Sequence, residues 1–315
     1  MIKDTYELTY ELTYDDYAQS ANTLFHFMTK FKYLEEILEK KALIPRYCKE
    51  DLQYLNIGNG SFTEAFVLQK CFCDIPFHKL TENFQLQATG DNYQNLSEDE
   101  RTRVPSKYTH TDFYGEYAIA FSKGWGEKNN LQPIHYLNER SNYTKDISNL
   151  INQILNMEEV LDIYSDDVLN RLCFVKPLRG IMKRKFKRND DIDVEIDFQK
   201  NFHDEQEWRF VPSIDVTDAL QIDTVIANPY MLHLNEEGMD INAGLSDEKY
   251  SSLWLKYSYD DIRYIIVPNG NARVDIINRI MSLPDNKFSN GSDVAIQKYV
   301  LISKIIVLEE IRKDC

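Results

Sequence analysis

Hydrophobic and polar positions change rhythm several times along the chain, and each change predicts an element. Near the N-terminus Tyr6, Leu8, Tyr10, Leu12 and Tyr14 alternate with Thr and Glu in a four-residue repeat. Period two is the signature of a half-buried strand, and a period of four also puts the tyrosines on one helical face; the Thr and Tyr content favours the strand. An edge strand of this kind can accept a second chain, so the segment is a candidate partner-binding arm. Leu24-Phe25-His26-Phe27 predicts a short buried strand, followed by a helix capped at Thr29 and carrying Phe31, Leu34, Ile37 and Leu38 on one face, ahead of Pro45. Residues 48–63 read as loop with a turn at Gly58-Asn59-Gly60, 67–72 as a strand, and 87–112 as a long polar surface loop. Further strands are expected at 117–122, 133–137, 207–212, 262–267 and 300–308, with a helix over 272–283.

Between 144 and 173 the spacing turns helical, through Ile147, Leu150, Ile151, Ile154 and Leu155 and then Val160, Leu161, Val168 and Leu172. This predicts a helical insertion between β segments. Strands predominate in the middle and helices are placed irregularly, which predicts an α+β fold and not a regular βαβ array.

Composition narrows the class. In 315 residues, 43% are hydrophobic and 28% charged, proportions of a globular chain with a large core. No run approaches the roughly 18 apolar residues of a membrane helix, and Met1-Ile2-Lys3-Asp4 opens no signal peptide. Five cysteines without framework spacing fit a reducing compartment, so a cytoplasmic location without a membrane is expected. The balance of 36 Lys+Arg against 51 Asp+Glu gives −15, which argues against coating nucleic acid with the whole surface. One local exception stands out: seven of the thirteen residues 176–188 are basic, among them Lys183, Arg184, Lys185, Lys187 and Arg188. They are candidate contacts to a nucleic acid; the alternative is a charged hairpin compensating the acidic stretch that follows.

The common motifs are missing. There is no Walker loop, no HExxH and no Gly-rich dinucleotide fingerprint. Cys71-x-Cys73 with His78 lacks a second cysteine pair, and no metal is expected. What remains is His26 in a hydrophobic strand, Tyr114, Tyr117 and Ser122 along an aromatic one, and Glu205-Gln206-Glu207 opening another. An E-x-E at a strand start sets two like charges on one side of a sheet, a costly arrangement when buried.

Several segments together resemble the AbiGi family of abortive-infection proteins. They are Leu24-Phe25-His26-Phe27, Tyr33-Leu34-Glu35-Glu36-Ile37-Leu38, Cys71-Phe72-Cys73-Asp74-Ile75-Pro76, the stretch from Tyr114 to Gly126, and the stretch from Glu205 to Pro212. The resemblance covers roughly residues 22 to 310 and implies a phage-defence role, some members being the antitoxin half of a pair. The "FH" strand followed by a helix is also similar to the opening of DarT-like ADP-ribosyltransferases, and E-x-E is similar to the catalytic element of ADP-ribosyltransferases generally. That similarity implies one ADP-ribosyltransferase-like domain over 1–315, a split β-sheet with flanking helices and an insertion at about 144–173. It implies NAD as substrate, held by His26, Phe27, Tyr114, Tyr117 and Ser122, with Glu207 as catalytic carboxylate and Glu205 facing the acceptor. A carboxylate beside the ribose would stabilise an oxocarbenium-like transition state. The expected function is therefore transfer of ADP-ribose from NAD to a macromolecule, RNA or DNA before protein, in concert with a cognate antitoxin or toxin. The alternatives are a catalytically inactive antitoxin-like binding protein, or an NAD hydrolase.

Overall fold

The computed structural model describes residues 20–227, 241–289 and 293–314; the alternating N-terminal repeat lies outside them. The chain opens with β1 (Thr23–Met28), α1 (Phe31–Lys40), β2 (Arg46–Asp51) and the long β3 (Glu64–Cys73). There follow α2 (Thr111–Tyr114), β4 (Tyr117–Ser122), β5 (Gln132–Pro133), β6 (His135–Leu137) and the helical pair α3 (Asn142–Leu155) and α4 (Glu158–Leu172). The second half holds β7 (Val175–Pro177), β8 (Arg179–Lys187), β9 (Asp193–Asn201), β10 (Glu207–Phe210) and β11 (Val225–Ile226). It closes with β12 (Ile262–Val267), α5 (Gly270–Ser282), α6 (Val294–Ser303) and β13 (Ile305–Val307).

The fold is mixed α+β, as the patterning predicts. Its main sheet runs β13-β12-β4-β1-β3-β10-β5, with β2 and β11 paired to the first half of β3. Most neighbours are antiparallel; β12 and β13 are parallel, joined through α5 and α6. The largest core lies where α1 and α5 cover the sheet face carrying Leu24, Phe72, Ile119, Phe121 and Ile265. Leu34, Ile37 and Leu38 are the buried stripe of α1, and Asn269 caps α5 by accepting from the Ala272 amide at 3.0 Å. Phe25, Cys73, Ala118, Ala120 and Ile266 form a second core on the other face.

β1 is joined to β4 by six register pairs but to β3 by a single one, Phe25↔Cys73. Beyond that pair the two strands splay, so the sheet is split at its middle. Gly115 (φ +105°) makes the turn between α2 and β4 against this split. A Cβ there would lie 2.1 Å from the Met28 carbonyl oxygen, so only glycine fits, and the turn sets Tyr114 beside the end of β1.

Several expectations need correction. Residues 48–51 belong to β2, and the loop shrinks to the 3₁₀ turns Gln53–Leu55 and Gly58–Gly60. The N-cap of α1 is Lys30, not Thr29, and no side chain caps it. Residues 87–112 are not an unstructured loop: short helices span Gly90–Gln94 and Glu98–Arg103, the second fixed by a Ser97/Glu100 capping box. Leu96 and Tyr108 from this stretch are buried in a small core with Ile196 and Phe198 of β9. The expected strand over 133–137 divides at Ile134, β5 pairing with β10 and β6 lying parallel to β7. The apolar run expected as a strand over 300–308 instead ends α6, begun by Asp293 accepting from the Ala295 amide at 2.8 Å, before the three-residue β13. The insertion over 144–173 is helical as expected. Ile151 and Val168 close a small core with Leu52, Leu55 and Ile57.

Candidate functional site

Two features meet at the split between β1 and β3: a cleft and a buried cluster of charges. The cleft, about 350 Å³, is lined by His26, Phe27, Tyr33, Lys70, Arg46 and Tyr114, among others. His26 donates Nδ1–H to the Cys71 carbonyl oxygen at 2.8 Å, which ties the splayed strands together and leaves Nε2 as an acceptor. Burial, and then the nearby Lys70 charge, hold the His26 imidazole well below its usual pKa, so the ring is neutral at pH 7. His110 stacks on Tyr114 at 4.3 Å and lies 4.8 Å from Phe27. Burial lowers its pKa to about 3, and its Nε2 has no partner among the described residues.

The charge cluster sits behind Tyr114. Glu205 ends a 3₁₀ turn, Phe202–Glu205, and Gln206 takes a left-handed conformation (φ 44°) before β10 begins at Glu207. This bend brings both carboxylates to one cation. Lys176 Nζ of β7 lies 2.8 Å from Glu205 Oε2 and 3.1 Å from Glu207 Oε2. Arg209, fully buried, donates to Glu207 at 2.6 Å and to the Cys173 carbonyl at 2.7 Å, and pairs with Glu50 at 2.8 Å. Glu205 also pairs with Lys200 at 3.2 Å and accepts from the Tyr114 hydroxyl, which in turn accepts from Lys200 at 2.5 Å. Burial alone would raise the Glu207 carboxyl, but Arg209 and Lys176 outweigh it and hold it well below the usual carboxylate range. Glu207 is thus ionised, and both acids are occupied: Glu205 is 3% exposed and Glu207 5%.

The register separates the sequence-derived residues. Phe25, Cys73 and Glu207 form one row across three strands, so their side chains share a face. His26, one residue on, points to the other face, where its ring packs 5.7 Å from Phe72. His26, Phe27 and Tyr114 line the cleft together; neither Glu205 nor Glu207 does. Tyr117 packs on Phe31 at 5.9 Å, and Ser122 caps the helix Lys123–Lys128 by accepting from the Trp125 amide at 3.1 Å. Neither of these two reaches the cleft lining. Sequence reasoning missed Lys70 and Lys200, isolated cations whose spacing carries no motif, and it gave Lys176 to the basic segment and not to the carboxylates.

The basic residues lie on the β8–β9 hairpin. Lys183, Lys185 and Lys187 stand opposite Asp197, Glu195 and Asp193 in the ladder. Arg184 pairs with Asp112 at 3.2 Å, Lys187 with Asp191 at 3.0 Å, and Arg188 with Asp190 at 3.4 Å. The positive segment is neutralised by the acidic stretch beside it.

Comparison with known proteins identifies the family. Residues 104–268 match the family model described as "Putative abortive phage resistance protein AbiGi, antitoxin". An abortive phage resistance protein AbiGi of Lactococcus lactis subsp. cremoris is 31% identical over 291 residues, covering 87% of this chain and 99% of its own length. The chain belongs to the AbiGi family. No solved structure matches. The AbiGi family model spans α2, the helical insertion, the hairpin and β10, and so takes in Tyr114, Lys176, Lys200, Glu205, Glu207 and Arg209 of the charge cluster. No helix among the described residues is long and apolar enough to cross a membrane.

Proposed function

We propose that this AbiGi chain acts in phage defence as the antitoxin-type member of a pair, by binding a partner protein and not by chemistry at Glu205 and Glu207. One observation carries the reading: both carboxylates are consumed in a buried ion cluster, with Glu207 on the sheet face away from His26. A catalytic carboxylate must keep an oxygen for the developing charge on its substrate. Glu207 instead ties β10 to β7, Glu205 ties the turn ahead of β10 to β7 and β9, and Arg209 ties in β2 and the end of the helical insertion. The family model's own description points the same way.

ADP-ribose transfer from NAD, with an ADP-ribosyltransferase-like split sheet and RNA or DNA as acceptor on the hairpin, is the second reading. Its support is the split itself and the contact of Tyr114 with both the cleft and Glu205. Co-expression of the chain with a cognate toxin should restore growth, and the two proteins should co-purify. Glu207→Gln should still neutralise if folded. The purified chain should leave labelled NAD intact in lysate. Label moving from NAD into nucleic acid or protein, and lost in Glu207→Gln, would replace this reading with the second.

A further inference from the structure

The cleft holds a cation that the charge cluster does not use. Lys70 lies on β3, one residue before Cys71, and its side chain lines the cleft beside His26 and Arg46. It has no hydrogen-bond or ion-pair partner among the described residues. The neighbouring carboxylate, Glu36, is engaged elsewhere, by the Ser246 hydroxyl at 2.6 Å and by Arg46 at 3.7 Å. With His26 neutral, the lining carries Lys70 and Arg46 against Glu36, a net positive pocket on a protein of net charge −15. Burial and then the Arg46 charge lower the Lys70 ammonium to about 8, so it is still charged at neutral pH and poorly compensated. Phe27, Tyr33 and Tyr114 add aromatic surface to the same walls. The volume is at the small end of the roughly 300–1,000 Å³ of ligand pockets, and the mix of apolar walls and a few convergent polar groups is typical of them.

We propose that this cleft binds a small phosphorylated ligand with an aromatic body, of the nucleoside monophosphate class, its phosphate on Lys70 and its ring among Phe27, Tyr33 and Tyr114. A phosphate supplies the counter-charge that Lys70 lacks, and a flat ring suits the aromatic walls. The inference stands apart from the partner-binding reading, since it involves none of the buried carboxylates.

Calorimetric titration of the full chain with AMP, and separately with inorganic phosphate, tests it. AMP should bind at least about tenfold tighter than phosphate, the difference being the ring's share. Lys70→Met should lose about tenfold or more in AMP affinity, while Lys70→Arg stays within about threefold. Without ligand, Lys70→Met should melt no lower than the wild type, because it removes an uncompensated charge. In the unmodified protein, AMP should protect Lys70 from acylation, a readout that needs no variant. The proposal fails if AMP gives no heat, if AMP and phosphate bind alike, or if Lys70→Met binds AMP as the wild type does. Unchanged acylation of Lys70 in saturating AMP also overturns it.

Discussion

The molecule contains two networks of oppositely charged residues, built from the same residue types and serving opposite economies. In the cluster around Arg209, Glu50, Glu205, Glu207, Lys176 and Lys200 are nearly all removed from water, and each charge has two or more partners. On the β8–β9 hairpin, Lys183, Lys185 and Lys187 face Asp197, Glu195 and Asp193 across the ladder in full or partial contact with solvent. Water screens the second set, so each pair contributes little and each residue is replaceable. In the first, loss of a partner strands a charge in a medium that cannot solvate it. The same alternation of signs is a surface in one place and a keystone in the other.

The sharpest way to break the comparison is Arg209→Leu. Glu50 and Glu207 would be left facing each other, and a loss of about 3–5 kcal/mol is expected by urea denaturation. A value under 1 kcal/mol would put the cluster in the surface class. Glu207→Gln keeps shape and part of the hydrogen bonding, and Arg209 retains Glu50, so about 2–3 kcal/mol should be lost. Protonation probes the same interior. His26 and His110 have pKa values pushed below 6.5, so the unfolded chain takes up protons that the folded one refuses. Stability is whole above pH 6.5 and falls as pH drops below it, His110 alone accounting for about 1–2 kcal/mol between pH 6.5 and 5. His110→Phe should remove its share of that slope in a melting series, and an unchanged slope would show that the ring is solvated. The smallest effect belongs to the hairpin: Lys183→Gln with Lys185→Gln should change stability by less than about 1 kcal/mol, and less still in high salt. If RNA or DNA binds this face, the same pair of substitutions would weaken binding and flatten its salt dependence.

The main strands were readable because they are buried on both faces and therefore nearly continuous apolar runs, such as Ala118 to Phe121 and Ile265 to Val267. The insertion was readable from its period. The stretch 87–112 was not, because its two buried anchors, Leu96 and Tyr108, are too far apart to set a rhythm, and the Ser97/Glu100 box is a signal of three residues' reach. The run ending α6 misled because β-branched composition favours a strand, and a single aspartate cap decided otherwise. At the site, Glu205 and Glu207 were visible as a pair. Their lysine partners were not: Lys176 and Lys200 come from other strands, and burial of Arg209 against Glu50 depends on a register no local pattern encodes. The resemblance to ADP-ribosyltransferases made His26 and Glu207 companions, and both do sit on strands that flank β3, yet a one-residue offset in register turns them to opposite faces.

The single register pair between β1 and β3 has a consequence for how the molecule breathes. On one side β1, β4, β12 and β13 form a ladder of their own, and on the other β2, β3, β10 and β11 form another. Few backbone bonds cross between them, so separating the two costs far less than melting either. In native-state hydrogen exchange the amides of the two ladders should therefore fall into two cooperative groups with different opening free energies, divided at Phe25 and Cys73.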